Sequence, residues 1–345
     1  MSARNADSSS SIHLGPLTTL GIGGIARRFE RFTTVPELAA LLATEDKVLV
    51  LGGGSNLVVG DAGWDGLVIQ PANTAVTRIG FVDDHAIVSA FAGTSWDGFV
   101  AQMVSEGLAG LEALSGIPGL VGATPMQNVG AYGQEVADTI QCVRAYDRER
   151  GELVELSAAA CGFAYRSSLF KGSPRWIICE VRFKLPRRLH GMPVTYAELA
   201  KALGIAEGST APLAQVRETV IALRRAKGMV IDPNDPDSRS AGSFFTNPIV
   251  DPAAAAALEA RAGAKPPQWV QPDGSVKLAA AWLIERAGFT KGYTRGNVGI
   301  SSKHALALVN RGGATATELL SLAQEVIGRV RDQFGVALVP EPILL

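Results

Sequence analysis

Apolar positions along this chain change period several times, and each change marks an element. PELAALLA, at 36–43, opens on a proline and continues with helix formers, which predicts a helix start. KVLVL at 47–51 is a short apolar run that ends in Gly52, Gly53, Gly54, Ser55 and Asn56, and GLVIQ at 66–70 follows as another strand. Helix, strand, glycine loop and strand make an α/β beginning. AIVSA at 86–90 alternates as a strand, and 97–106 reads as a helix. From Gln141 to Leu185 strands alternate with turns: QCVRAYD, GELVELS, YRSSLFK and WIICEVRFKL. Leu213, Val216, Val220 and Leu223 then repeat at amphipathic helical spacing. Arg224, Arg225 and Lys227 complement that helix's C-terminal dipole, and Gly228 stops it. DPNDPDS at 232–238 reads as a proline-broken linker and a domain boundary. Beyond it lie helices near 253–262, 278–287 and 317–334, the last with Leu319, Leu322, Val326, Val330 and Phe334 on one face. VALVPEP at 336–342 closes the pattern as an apolar strand ending in Glu341, a carboxylate between two prolines. Residues 1–12 read as a disordered tail, and no internal repeat is apparent.

Two stretches fit neither period. Residues 110–133, GLEALSGIPGLVGATPMQNVGAYG, are too broken by glycine and proline for a helix or strand, and too apolar for a solvent loop. Bare backbone of this kind suits a ligand packed against it. The triple glycine at 52–54 could likewise let backbone amides approach an anion, but a tight turn between strands explains it equally well. It is neither a GxGxxG nor a GK[ST] loop, so no Rossmann fingerprint or P-loop is present. In SRSAGSFFTNP, 238–248, Ser243 sits among Gly242, Phe244, Phe245 and Asn247. It reads either as a turn serine capping the backbone or as a site serine in an apolar pocket. Arg166, flanked by Tyr165 and Phe170, reads either as a surface arginine or as a fixed fork for a carboxylate or phosphate.

Composition narrows the classes. Apolar residues make up 47% and charged residues 19% of 345, an ordinary globular balance with room for two or three domains. A net charge of −1 argues against a nucleic-acid partner, whose phosphates require clustered cations. Cys142, Cys161 and Cys179 form no CxxC, so neither a disulfide framework nor a metal site is indicated. No apolar run is long enough for a membrane span, and the polar start lacks a secretory h-region, which places the chain in a reducing cytoplasm.

Taken together, LGIGGIARRF (20–29), LGGGSNLVV (51–59), the whole of 110–135, YRSSLFK (165–171), AGSFFTNP (241–248), KLAAAWLIE (277–285) and the final PE resemble one family, the UDP-N-acetylenolpyruvoylglucosamine reductases (MurB) of peptidoglycan precursor synthesis. The resemblance runs from about Leu20 to Glu341. It implies an α+β fold: a flavin-binding domain of the vanillyl-alcohol-oxidase (PCMH) type at 13–228, made of two α+β subdomains, and an α+β substrate-binding domain at 229–335. The subdomains would be 13–75 joined by 336–345, and 76–228. It implies non-covalent FAD, NADPH as the reductant, UDP-N-acetylglucosamine enolpyruvate as the small-molecule substrate, and a monomer. FAD would lie along Gly52, Gly53, Gly54, Ser55 and Asn56 and along Gly116, Ile117, Pro118, Gly119, Gly122, Ala123, Thr124, Gln127, Asn128, Gly130, Ala131, Tyr132 and Gly133. Arg166 and Glu341 would polarise the substrate carboxylate, and Ser243 would deliver a proton, backed by Lys227 and Asn247. Tyr196, Arg224, Lys277 and Lys291 would meet the nucleotide sugar, with Trp269 at a position often Tyr and His304 at one often Gln. The family's arginine shortly after the terminal Glu is absent here, where Pro342 and Ile343 stand.

Overall fold

The structure, a computed structural model, describes residues 11–345. The chain packs as two compact units, and its sheets and helices make it an α+β protein. The first unit contains Ala26–Gly53 and Asp65–Arg225. Its largest sheet is wholly antiparallel, in the order Glu152–Ser157, Ile140–Asp147, Trp176–Pro186, His85–Phe91, Val76–Val82. The helix Trp96–Ser105, capped by Ser95, buries Trp96, Phe99, Val100 and Met103 against this sheet's core. Phe99 and Phe183 stack with ring centroids 4.9 Å apart. Val48–Val50 runs parallel to Leu67, Val68 and Ile69 in a smaller sheet, below which the helix Val35–Leu42 buries Leu38. Thr34 and Glu37 form a capping box at that helix's start, so proline at its first turn costs no hydrogen bond. The helices Ala197–Leu203 and Leu213–Ala226 close a third core over Ala113, with Tyr132 packed against it.

The second unit contains His13–Ile25, Gly54–Trp64 and Ala226–Leu345. Its core surrounds the helix Ala316–Phe334, which buries the predicted Leu319, Leu322, Val326, Val330 and Phe334. Thr315 and Glu318 cap its first turn, and the Asp61 carboxylate accepts from the Ala316 and Thr317 amides at 2.7 and 3.0 Å. An anion there also complements the helix dipole. Two three-stranded sheets complete the unit, and Ile343–Leu344 pairs in parallel with Leu57–Val58.

Several expectations are corrected. YRSSLFK is a turn closed by paired backbone bonds between Ala164 and Ser167 at 3.1 and 3.0 Å, and Ser168 bonds the Met126 carbonyl. VALVPEP is irregular apart from a bridge between Pro340 and Phe245, because its two prolines lack ladder donors; the terminal strand lies after it. DPNDPDS is an ordered turn: Asp237 is buried and binds Ser302 and Arg311, and the packing boundary precedes it, after Arg225. Residues 13–25 and 54–64 pack with the C-terminal unit. The expected tail falls largely outside the described residues, but Ile12 is paired as a strand. The strands Ile25–Phe32 and Val76–Val82 were not foreseen; charged and exposed positions interrupt their apolar alternation.

Candidate active site

In the first unit, the glycine loop and the glycine-rich segment meet backbone to backbone. A Cβ on Gly53 would stand 2.6 Å from Gly119 Cα, and one on Gly52 would stand 3.3 Å from Ala123 Cβ. Gly119 itself accepts from the Trp96 amide at 3.0 Å, and Gly122 donates to Ala92 at 3.0 Å, which lays the segment along the sheet's end. Gly116, Gly119 and Gly133 have φ of +70°, +124° and +85°, and Asn128 and Tyr132 adopt +47° and +50°. Non-glycine residues held in this region mark a backbone fixed by its surroundings. For Asn128 the cause is visible: its amide donates to Glu135 at 2.7 Å and to the Ala164 carbonyl at 3.2 Å, and accepts from Ala137 at 3.1 Å. Asn128 is therefore the clamp that shapes the segment. A side-chain-free cradle of this form fits a large flat cofactor with an anionic linker.

Arg166 lies at the third position of the 164–167 turn with φ of +51°, where such turns usually carry glycine. Its Nη2 donates to the Gly130 carbonyl at 2.8 Å, so the guanidinium is anchored to the glycine-rich segment. Lys171 holds the Arg166 carbonyl at 2.8 Å. Tyr132 and Tyr196 meet edge to face at 5.4 Å, and Gly133 abuts Thr195, which brings the PVTYAEL loop onto the same segment. Burial pushes the Tyr132 phenol up to about 12, so it is neutral at ordinary pH. Arg224 is buried beside it, its pKa lowered by burial and partly restored by Tyr132 and Asp97.

Two clamps escaped the sequence reading. Glu112 is buried and accepts from the Gly110 and Met192 amides, both at 2.6 Å, and from Gln134 at 2.9 Å. Asp97 pairs with Arg217 through both oxygens, at 2.6 and 2.9 Å, and takes the Gly116 amide at 2.6 Å. Burial pushes the Asp97 carboxyl up, but the Arg217 and Gly116 hydrogen bonds and the charges of Arg217 and Arg224 outweigh it, leaving the pKa lowered. Neither clamp announces itself in sequence. Asp97 looks like an ordinary acidic residue in a helix's first turn, and the partners lie 120 and 80 residues away.

In the second unit, Ser243 follows Gly242, whose φ of +73° turns the chain, and precedes the buried Phe244 and Phe245. The Phe244 amide and carbonyl are tied to Leu306 at 2.7 Å and to the Glu341 amide at 2.9 Å. Ser243 and Glu341 thus sit on neighbouring, mutually bonded segments. The Ser243 hydroxyl lies 3.3 Å from His304 Nε2. The Asn247 oxygen accepts from Ala280 at 3.0 Å and starts the helix Ala280–Arg286. Asn56 donates to the Glu341 carbonyl at 3.4 Å and accepts from Ile343 at 3.0 Å, which fixes the backbone around the terminal carboxylate. Gly54 lies hard against the Leu17 carbonyl, where no side chain fits, and accepts from Thr19 at 3.1 Å. Trp269 and Lys277 are directly paired across antiparallel strands, so their side chains share one face. Lys291 is exposed in a turn, and Lys227 precedes the left-handed Gly228.

Comparison with known proteins is consistent across the chain. Residues 31–157 match the FAD binding domain family, and residues 233–345 match the family described as UDP-N-acetylenolpyruvoylglucosamine reductase, C-terminal domain. The chain is 52% identical over 345 residues to the UDP-N-acetylenolpyruvoylglucosamine reductase of Thermobifida fusca, covering 97% of each. It is 50% identical to that of Streptomyces coelicolor, covering 96% of this chain and 88% of the other. The crystal structure of the reductase from Thermus caldophilus superposes with a TM-score of 0.68 at 27% identity, covering 97% of this chain and 98% of the other.

Proposed function

The chain belongs to the UDP-N-acetylenolpyruvoylglucosamine reductase family and is a flavin-dependent UDP-N-acetylmuramate dehydrogenase, and from that premise we propose how its own residues carry the reaction. FAD, when bound, supplies the hydride that it takes from NADPH and gives to the enolpyruvyl double bond. The flavin domain is 13–228, and Gly52, Gly53, Gly54, Ser55 and Asn56 with the 116–133 segment hold the cofactor. The near contact of Gly53 with Gly119 supports this, because only glycines let the two segments close up into one continuous backbone wall.

Arg166 and Glu341 bind and polarise the substrate carboxylate, onto which charge moves as the hydride arrives. The observation that carries this assignment is the Arg166 turn: a non-glycine residue in a left-handed conformation, with its guanidinium anchored on the Gly130 carbonyl, is a preorganised donor. Ser243 gives its hydroxyl proton to the carbon next to that carboxylate. Lys227 backs Ser243, Tyr196 closes over the nucleotide sugar while Arg224, Lys277 and Lys291 offset its diphosphate charge, and Trp269 stacks on the ligand from its place beside Lys277. The substrate domain is 229–335, and the enzyme acts as a cytoplasmic monomer.

Absorbance of the purified protein tests the reading. A yellow protein should bleach with NADPH and regain colour anaerobically on adding UDP-N-acetylglucosamine enolpyruvate. Colour that returns only with oxygen would point to an oxidase instead. A protein that bleaches equally well with NADH would remove the NADPH assignment.

A further inference from the structure

A serine hydroxyl is a weak acid, so a serine that donates a proton needs a source behind it. Lys227 and Asn247 are the helpers expected from the sequence, and the Asn247 oxygen accepts from Ala280 at the start of the helix Ala280–Arg286. His304 stands beside the hydroxyl, with Nε2 at 3.3 Å from Ser243 Oγ. Its place is fixed from two sides: its amide donates to the Ser301 hydroxyl at 3.2 Å and its carbonyl accepts from Ala307 at 3.1 Å. Ser301 is fully buried, and the Leu306 carbonyl takes the Phe244 amide at 2.7 Å, so one short loop sets both the imidazole and the serine's own segment.

We propose that His304 is the relay residue that restores the proton on Ser243. The inference rests on the reading of Ser243 as proton donor. As the electron pair of the enolate forms the new C–H bond, the Ser243 Oγ–H bond breaks. The His304 Nε2–H bond then breaks as Oγ–H re-forms, and the neutral imidazole takes its next proton from solvent. Of the ionic groups on the neighbouring loops, Lys303 is paired with Asp235 at 2.7 Å, and Asp237 is held by Ser302 and by Arg311 at 2.8 Å. Histidine is also the side chain whose ordinary pKa, about 6.5, allows it to be protonated and recharged near neutral pH.

The test is the rate at which substrate reoxidises the anaerobically pre-reduced enzyme, measured by stopped flow from pH 5.5 to 8.5. The wild-type rate should fall as pH rises through the imidazole pKa. His304→Gln keeps a hydrogen-bonding side chain but cannot carry the proton, so it should lose about 10²-fold below pH 6 and become flat with pH. Added imidazole should partly restore His304→Ala. A His304→Gln enzyme with the wild-type rate and slope, or one changed only in KM, overturns the relay. Ser243→Ala separates the two ideas: if it reoxidises at the wild-type rate, the serine reading itself fails. A readout independent of turnover is the NMR titration of the four histidines, with His304 identified by its loss in the variants. Its midpoint should move in Ser243→Ala, and an unmoved midpoint, like a wild-type rate flat across this pH range, overturns the proposal.

Discussion

Replacing Gly53 by alanine adds one methyl group at the tightest point of the proposed cofactor cradle. The new Cβ would stand 2.6 Å from Gly119 Cα and 3.2 Å from its carbonyl carbon. That is about 0.8 Å short of ordinary van der Waals contact. The obstacle is backbone, and Gly119 is not free to retreat, because its carbonyl holds the Trp96 amide at 3.0 Å and its φ is +124°. The glycine loop must yield instead. Overpacking of this size costs about 1–3 kcal/mol. If the loop opens to relieve it, the same energy appears as weaker cofactor binding, about 5- to 150-fold in Kd. The assay is equilibrium dialysis of FAD against the stripped protein, with thermal unfolding of the stripped protein alongside. We expect a raised Kd with a fall of a few degrees in the stripped protein's Tm. FAD binding at wild-type strength would refute the cradle at 52–53, and a large loss of Tm with unchanged Kd would make Gly53 purely a folding residue.

Arg166→Lys retains charge but loses the planar fork, and should slow reoxidation of the reduced enzyme by substrate by about 10²–10³-fold while leaving FAD content unchanged. Ser243→Ala should slow the same step and spare flavin bleaching by NADPH; equal loss in both half-reactions would make Ser243 structural. The Asp97 carboxyl is held below its usual range, so the stability from its pair with Arg217 is present above an unfolded pKa near 3.8 and is lost as pH falls through the lower folded value. Asp97→Asn should therefore flatten the acid limb of Tm against pH, and a variant with an unchanged limb would contradict it. Glu112→Gln leaves one of two short amide contacts facing a donor, and should raise KM for substrate through the 191–196 loop more than it lowers kcat.

How much of this was legible in the sequence depends on how far apart the bonded partners are. The helix Leu213–Ala226 was readable because its buried Leu213, Val216 and Val220 repeat within one element. The helix Ala316–Phe334 was readable for the same reason, with Thr315 and Glu318 marking its start three residues apart. YRSSLFK was misread as a strand because its apolar residues are few and its turn is fixed from outside, by Asn128 reaching the Ala164 carbonyl and Ser168 reaching Met126, 36 and 42 residues away. The same limit applies to the candidate site. Single residues such as Arg166, Ser243 and Glu341 could be named from motifs, but what each leans on could not. Lys227 and Asn247 were the helpers named from the sequence; the structure sets the Asn247 oxygen at the start of the helix Ala280–Arg286 and places His304, 61 residues on from Ser243, beside the hydroxyl. Sequence spacing names the groups that can react; long-range backbone hydrogen bonds decide which neighbour completes them. That is why the relay can be tested at His304 rather than at Asn247, and why Asn247→Ala should lower Tm while leaving the pH dependence of reoxidation in place.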